Sequence, residues 1–269
     1  MKNFFDELEN VLFATSPEEK IELFYHFYDE FRTNLLVIKQ TLPAKEHIKP
    51  TFANFCRIVT PENLPKRVKL DTDEGKARFV HAILHIEYCA IDLALDHSYR
   101  FRNLPVEYYA DWLEVAEDEI RHFKILDSIL MTLGYSYGDF EVHQSLFDAQ
   151  QATQTLRSRM AVVPRYLEAN GLDANIKMMQ KLQGVGDKGA KTIIKALEVI
   201  LKEEIDHVKK GDKWFLYACK HDNVDKSIYF DDVKAIMPNA WRQRGFVNRE
   251  ARLLAGFENN EIERIKNGG

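Results

Sequence analysis

Two Glu-x-x-His pairs stand out in this 269-residue chain, Glu119 with His122 and Glu204 with His207. Each lies downstream of a stretch carrying a glutamate within an apolar face, Glu87 before the first pair and Glu168 before the second. Residues three apart on an α-helix project from nearly the same face about one turn apart, so a carboxylate and an imidazole can reach one cation without bending the backbone. The order Glu, Glu-x-x-His, Glu, Glu-x-x-His along four helices is the donor order of a carboxylate-bridged di-metal centre in a four-helix bundle. Four carboxylates would neutralise two divalent ions.

So short a motif recurs by chance, and the neighbours decide what it means. Glu87 has Ile83, Leu84, Ala90 and Ile91 three and four positions away; Glu119 has Val115, Ala116 and Phe123; Glu204 has Ile200, Leu201 and Val208. A carboxylate buried in such a stripe without a partner costs several kcal/mol or takes up a proton. Metal ligation removes the conflict. The bland alternative makes these surface glutamates and chance histidines, and Glu168 is the most open to it because Arg165 lies three residues earlier and could pair with it.

The elements that must hold these residues are helical. Helix formers dominate, runs of alternating β-branched residues are absent, and the chain reads as all-α. Residues 1–40 predict one or two amphipathic helices, with Ser16 as N-cap, Pro17 at the first helical position and Glu18 and Glu19 in the first turn. Residues 41–70, with Pro43, Pro50, Pro61 and Pro65, predict an irregular arm. A first bundle helix is expected from Asp71-Thr72-Asp73 to about Arg100, and a second from Asn103-Pro105 to Gly134. A third is expected over about 145–169, kinked at Pro164 and ending near Asn170-Gly171, followed by a short helical segment at 173–182 and a turn at Gly184-Val185-Gly186. The fourth covers about 187–219. The domain reading is an N-terminal helical extension and arm over 1–70, a four-helix bundle with the di-metal site over 71–221, and a C-terminal helical extension over 222–269.

Composition narrows the class of partner. With 45% hydrophobic residues and a net charge of −5, the chain can bury a sizeable core and is no general nucleic-acid binder. The balance is uneven, however: 32–69 holds Arg32, Lys39, Lys45, Lys49, Arg57, Lys66, Arg67 and Lys69 against only Glu46 and Glu62. Such a stretch is either a solvated, self-pairing face or a dock for an anionic partner, whether a phosphorylated metabolite, a carrier-linked acyl group or RNA. The acidic N-terminus has no long apolar core, and no apolar run approaches the roughly 20 residues of a membrane span. Three widely spaced cysteines without a CxxC fit a reduced, cytoplasmic setting. Cys56 and Cys89 read as small core residues, and His81 and His85 as packed or surface histidines rather than ligands. His143 either caps a helix or lines an entrance.

The stretches His85-Ile-Glu87-Tyr-Cys-Ala-Ile-Asp-Leu-Ala, Glu117-Asp-Glu119-Ile-Arg-His122-Phe, Val163-Pro-Arg-Tyr-Leu-Glu168-Ala-Asn-Gly-Leu-Asp and Glu203-Glu204-Ile-Asp-His207-Val resemble the ferritin-like family catalogued as domain-of-unknown-function 455. Phe246-Val-Asn-Arg-Glu-Ala-Arg-Leu-Leu-Ala-Gly-Phe257 is similar to it too, so the resemblance covers about residues 60–257. It implies a ferritin-like four-helix bundle within the di-iron carboxylate superfamily, nearest to the tRNA-modifying di-iron hydroxylases. Carried over by position, Glu119 and Glu204 bridge two metal ions, Glu87 and His122 complete one, and Glu168 and His207 the other. Asp118 and Glu203 match the acidic residue that precedes the motif in the oxygenases. They are assigned to orient His207 and His122 respectively.

The function expected from this is an oxidoreductase whose two ions, iron, manganese or a mixed pair, activate O2 to hydroxylate or oxidise an organic substrate, with an electron donor as partner. About seventy residues before the first bundle helix and about fifty after the fourth could cover a substrate pocket, and a monomer or small homo-oligomer is expected. Metal oxidation or storage, and a non-catalytic metal-binding interaction protein, are the alternatives.

Overall fold

A computed structural model describes residues 1–39, 42–64, 69–242 and 245–269. The chain is α-helical, with two two-residue strands paired in parallel, Lys2–Asn3 (β1) and Leu36–Val37 (β2). It forms two compact units, Met1–Phe147 and Asp148–Gly269.

In the first unit, α1 (Phe4–Leu12) starts on Asn3, whose side chain accepts from the Phe5 and Asp6 amides. Helix α2 (Pro17–Arg32) starts on Ser16, which accepts from the Glu19 amide, as its sequence predicts. Lys20 is fully buried. Its ammonium donates to the Val11 and Leu12 carbonyls at 3.1 and 2.6 Å and pairs with Asp92 at 2.9 Å, so it satisfies carbonyls that the end of α1 leaves open. The arm contains short 3-10 turns at Thr51–Asn54 and Pro61–Asn63. Of its basic residues, Lys45 pairs with Glu9 at 3.7 Å and Arg57 with Glu141 at 3.1 Å. Pro65, Lys66 and Arg67, and Arg244 in the tail, lie outside the described residues.

Thr72 caps α3 (Asp73–Arg100) by accepting from the Gly75 amide at 3.0 Å, and Pro105 precedes α4 (Val106–Thr132). A five-residue connection returns α4 along α3, and the two pack over much of their length. This hairpin positions the first Glu and the first Glu-x-x-His.

The division between the units falls within α5 (Ser145–Ala152), which stops before Thr153-Gln154; in the second unit Thr155 and Ser158 form a reciprocal cap that opens α6 (Leu156–Val162). A π-turn, Val163–Glu168, continues into α7 (Ala169–Val185), which ends on Gly186 at φ +72°. Helix α8 (Lys188–Asp222) is capped by Asp187, and both the π-turn and α7 pack on it. Three short helices follow: α9 (Tyr229–Ile236), α10 (Arg249–Leu254) and α11 (Asn259–Asn267).

The expected third helix is corrected in two ways. It is interrupted at Thr153-Gln154, where the side chains of Thr153 and Gln154 bond preceding carbonyls and the chain restarts on a new cap. It also does not end at Asn170-Gly171, and the segment expected separately at 173–182 is its continuation. A helical glycine costs about 1 kcal/mol, which the packing of α7 on α8 outweighs. The kink expected at Pro164 takes the form of the π-turn, which accommodates the missing N–H by widening the local ring. Pro164 also needs a glycine opposite: a Cβ on Gly211 of α8 would stand 2.3 Å from the Pro164 Cβ.

Two arginines that read as surface residues are buried in this unit. Arg165, in the π-turn, donates to Asp212 at 2.6 Å and to Glu261 at 2.7 Å, with its guanidinium over the rings of Tyr229, Phe257 and Phe215. Arg252 donates to Asp173 at 2.8 Å and to the Ala169 carbonyl at 3.0 Å. These pairs tie α11 and α10 to the π-turn, α7 and α8. Among the described residues no helix is long and apolar enough to cross a membrane.

Candidate metal centre

Glu87 projects from the middle of α3, and Glu119 and His122 from one face of α4. Glu87 is 4% exposed and the other two are fully enclosed. One donor atom from each lies within 4.8 Å of the others. His122 Nδ1 is 3.1 Å from Glu87 Oε2 and 3.4 Å from Glu119 Oε2. Burial alone would pull this imidazole down, but the hydrogen bonds and charge of Glu119 and Glu87 outweigh it and hold its pKa at about 11. A proton thus offsets part of the negative charge where a cation would sit.

Ile83, Leu84 and Ile91 on α3 and Val115, Ala116 and Phe123 on α4 surround these donors, all of them buried. Two carboxylates and an imidazole in a dry apolar shell suit a divalent transition metal, which accepts mixed O and N donors. This buried cluster of Glu and His residues could bind a metal ion. His122 Nδ1 cannot carry its proton and ligate at once, so metal uptake there must release it.

In the second unit, Glu204 and His207 share a face of α8, with His207 Nδ1 3.5 Å from Glu204 Oε1. His207 is fully buried and Glu204 partly so. Glu168 ends the π-turn, on the segment that packs against α8. Arg165 does not pair with Glu168, because its guanidinium is taken by Asp212 and Glu261. Of the two residues assigned to orient the histidines, Asp118 is ion-paired with Arg121 one turn along α4, and Glu203 is partly buried on α8.

His81, His85 and His143 belong to a different arrangement, built by the loop after α4. His85 Nε2 lies 2.8 Å from the His143 carbonyl and must donate to it, which leaves Nδ1 to accept from the Tyr137 hydroxyl at 2.8 Å. His81 Nε2 accepts from the Gly138 amide at 3.0 Å. Gly138 has φ +103°, and the Phe55 carbonyl oxygen lies 2.8 Å from where a Cβ would be, so only glycine brings its N–H here. His143 both caps and lines: its Nδ1 accepts from the Ser145 amide at 3.2 Å at the start of α5, and its side chain borders a cavity. Burial raises the thiols of Cys56 and Cys89, which fits core residues better than nucleophiles.

Burial holds the pKa values of His81 and His85 down at about 4. The unfolded chain therefore binds more protons than the folded one between pH 4 and 6.5. Each ring contributes stability that is fully present above about pH 6.5 and lost as pH falls toward 4, roughly 3 kcal/mol per histidine. In urea unfolding at pH 7 and pH 4.5, His85→Gln should lose less stability on acidification than the parent. An equal loss in the two proteins would show that His85 is not held neutral.

Comparison with known proteins follows the same residues. The family described as "Protein of unknown function (DUF455)" matches residues 13–263, which include all six candidate ligands. The chain belongs to this family. A relative from Haemophilus influenzae, named "Uncharacterized protein", is 36% identical over 277 residues, covering 97% of this chain and 93% of its own length. No solved structure matches this DUF455 protein.

Sequence reasoning missed the loop from Tyr135 to His143 as a partner of α3, and missed Arg165 and Arg252 as core residues. A signal existed for the loop: three aromatic residues are interleaved with Ser136, Gly138 and Asp139 in Tyr135-Ser-Tyr-Gly-Asp-Phe, a composition that can pack while taking positive φ at the glycine.

Proposed function

We propose that this DUF455 protein is a di-metal carboxylate oxidoreductase that uses O2 to oxidise an organic substrate, with a ferritin-like bundle as scaffold. The observation that carries the reading is the enclosed cluster of Glu87, Glu119 and His122 within the first unit. In this proposal, carried over by position in the sequence, Glu119 and Glu204 would be shared by two ions, Glu87 and His122 would help hold one, and Glu168 and His207 the other. Iron, manganese or a mixed pair would, when bound and reduced, supply the electrons for O2 chemistry. The chain's own residues neutralise the positive charge, hold two imidazoles at fixed orientation and exclude bulk water. Asp118 and Glu203 act one step removed, by orienting the imidazoles.

The test is anaerobic loading with ferrous ion, removal of excess metal, and exposure to O2 with an oxygen electrode and optical spectroscopy. The loaded protein should consume O2 faster than free ferrous ion under the same conditions, and His122→Ala should slow it sharply. Asp118→Asn should slow it by about 10–100-fold, as an outer hydrogen-bonding partner does. Uptake no faster than that of free ferrous ion would reject the oxidoreductase reading while leaving metal binding intact.

A further inference from the structure

The first unit contains a cavity of about 160 Å³ on the side of α3 away from Glu87. Its volume is close to that of a cavity of roughly 150 Å³ that holds benzene. Leu64, Ile86, Phe140 and Val142 give it apolar walls, and it opens to solvent past Ala82. The polar lining is what sets it apart from a packing defect.

His81 is 1% exposed and borders the cavity. Because its Nε2 accepts from the Gly138 amide, the proton of the neutral ring must sit on Nδ1. Among the described residues no protein group accepts that N–H. Arg78 stands beside it, with Nε and Nη2 on Glu74 at 2.9 Å and its guanidinium 4.4 Å from the centre of the Phe140 ring, which leaves Nη1 uncommitted. Among the described lining residues the one carboxylate, Glu141, is paired with Arg57 at 3.1 Å. The cavity therefore offers two donors of which one is cationic, over an apolar floor.

We propose that this cavity binds a small monocarboxylate with a compact apolar body about the size of a benzene ring, its carboxylate between His81 Nδ1 and Arg78 Nη1. A purely apolar ligand would strip water from the His81 N–H without replacing it, at a cost of about 1–3 kcal/mol. A cation would face Arg78. A carboxylate meets both donors with charge-assisted bonds. The site does not depend on metal.

Benzoate is the probe, titrated into the full-length protein and followed by amide NMR shifts and calorimetry, with benzyl alcohol as its neutral counterpart. Benzoate should bind saturably below about 10 mM, with the largest shifts at His81, Gly138 and Phe140, and benzyl alcohol should bind about tenfold more weakly. Ala82→Trp, at an exposed helix position, should block the mouth and abolish binding without altering the melting temperature. Arg78→Gln should reduce benzoate affinity to that of benzyl alcohol. The proposal is overturned if benzoate does not saturate, if benzyl alcohol binds equally well, or if Ala82→Trp binds as the parent does.

Discussion

Replacing Glu119 by Ala should take bound metal from about two ions per chain to below one, as measured by elemental analysis after gel filtration. The expectation follows from the proposed role of Glu119 as a bridge: an end-on ligand serves one ion, whereas a bridging carboxylate serves both and also screens their repulsion. Its position is consistent with a large effect, since the side chain is fully enclosed and a water in the space left by Ala would bring no negative charge to offset the ions. Glu114→Ala, on the exposed face of the same helix, is the control. Stability should follow occupancy. Chelated parent protein should melt lower than loaded protein, by the equivalent of about 4 kcal/mol when free metal is a thousandfold above its dissociation constant. Loaded and chelated Glu119→Ala should melt much closer together. Equal metal content in the variant and the parent would refute the bridge, and equal melting of the parent with and without metal would refute a buried site.

The second large effect is expected at Arg165→Ala. Both carboxylates that this guanidinium serves are largely buried, and removing one partner of a buried charge pair costs about 3–5 kcal/mol because the other charge is stranded. Asp212 is already held above the usual carboxylate range by burial, with Arg165 working against that shift. Without the arginine its proton affinity should rise further, so the variant should be least stable at neutral pH and recover part of the loss on mild acidification. The melting temperature should fall on the order of 10 °C at pH 7. Since Glu261 lies on α11, limited proteolysis should also cut the last thirty or so residues sooner than in the parent. A change below 1 kcal/mol would mean that the guanidinium is held only by its aromatic neighbours.

The elements that were legible in the sequence are those whose ends carry chemical punctuation. Thr72 before Asp73 and Pro105 before Val106 mark the starts of α3 and α4, and the apolar stripe between fixes their faces; Asp187 marks the start of α8. The pairing of Glu119 with His122 was legible in their spacing and their apolar neighbours, because a rigid helix turns a three-residue interval into a direction. What could not be read is whatever depends on a partner distant in sequence. Arg165 and Arg252 look like surface residues by type, and their burial is decided by Asp212, Glu261 and Asp173, 47 to 96 positions away. The run through Gly171 was misjudged because a local penalty was weighed without the packing that offsets it. The histidines of α3 gave no sign of their loop, since the glycine that serves His81 lies 57 residues on.

The π-turn at Val163–Glu168 makes the second unit sensitive to chain length in a way that substitution would not reveal. Deleting one residue other than Pro164 within it would remove the extra residue of the wide turn and swing everything on one side by about 100° relative to the other. Glu168 would then leave its present bearing, Arg165 could no longer reach Asp212 and Glu261 together, and Pro164 would lose its place opposite Gly211. A replacement within 163–168 removes contacts but keeps every other side chain on its bearing. A deletion there is a change of register, and across relatives this six-residue stretch is expected to vary in letters but not in count.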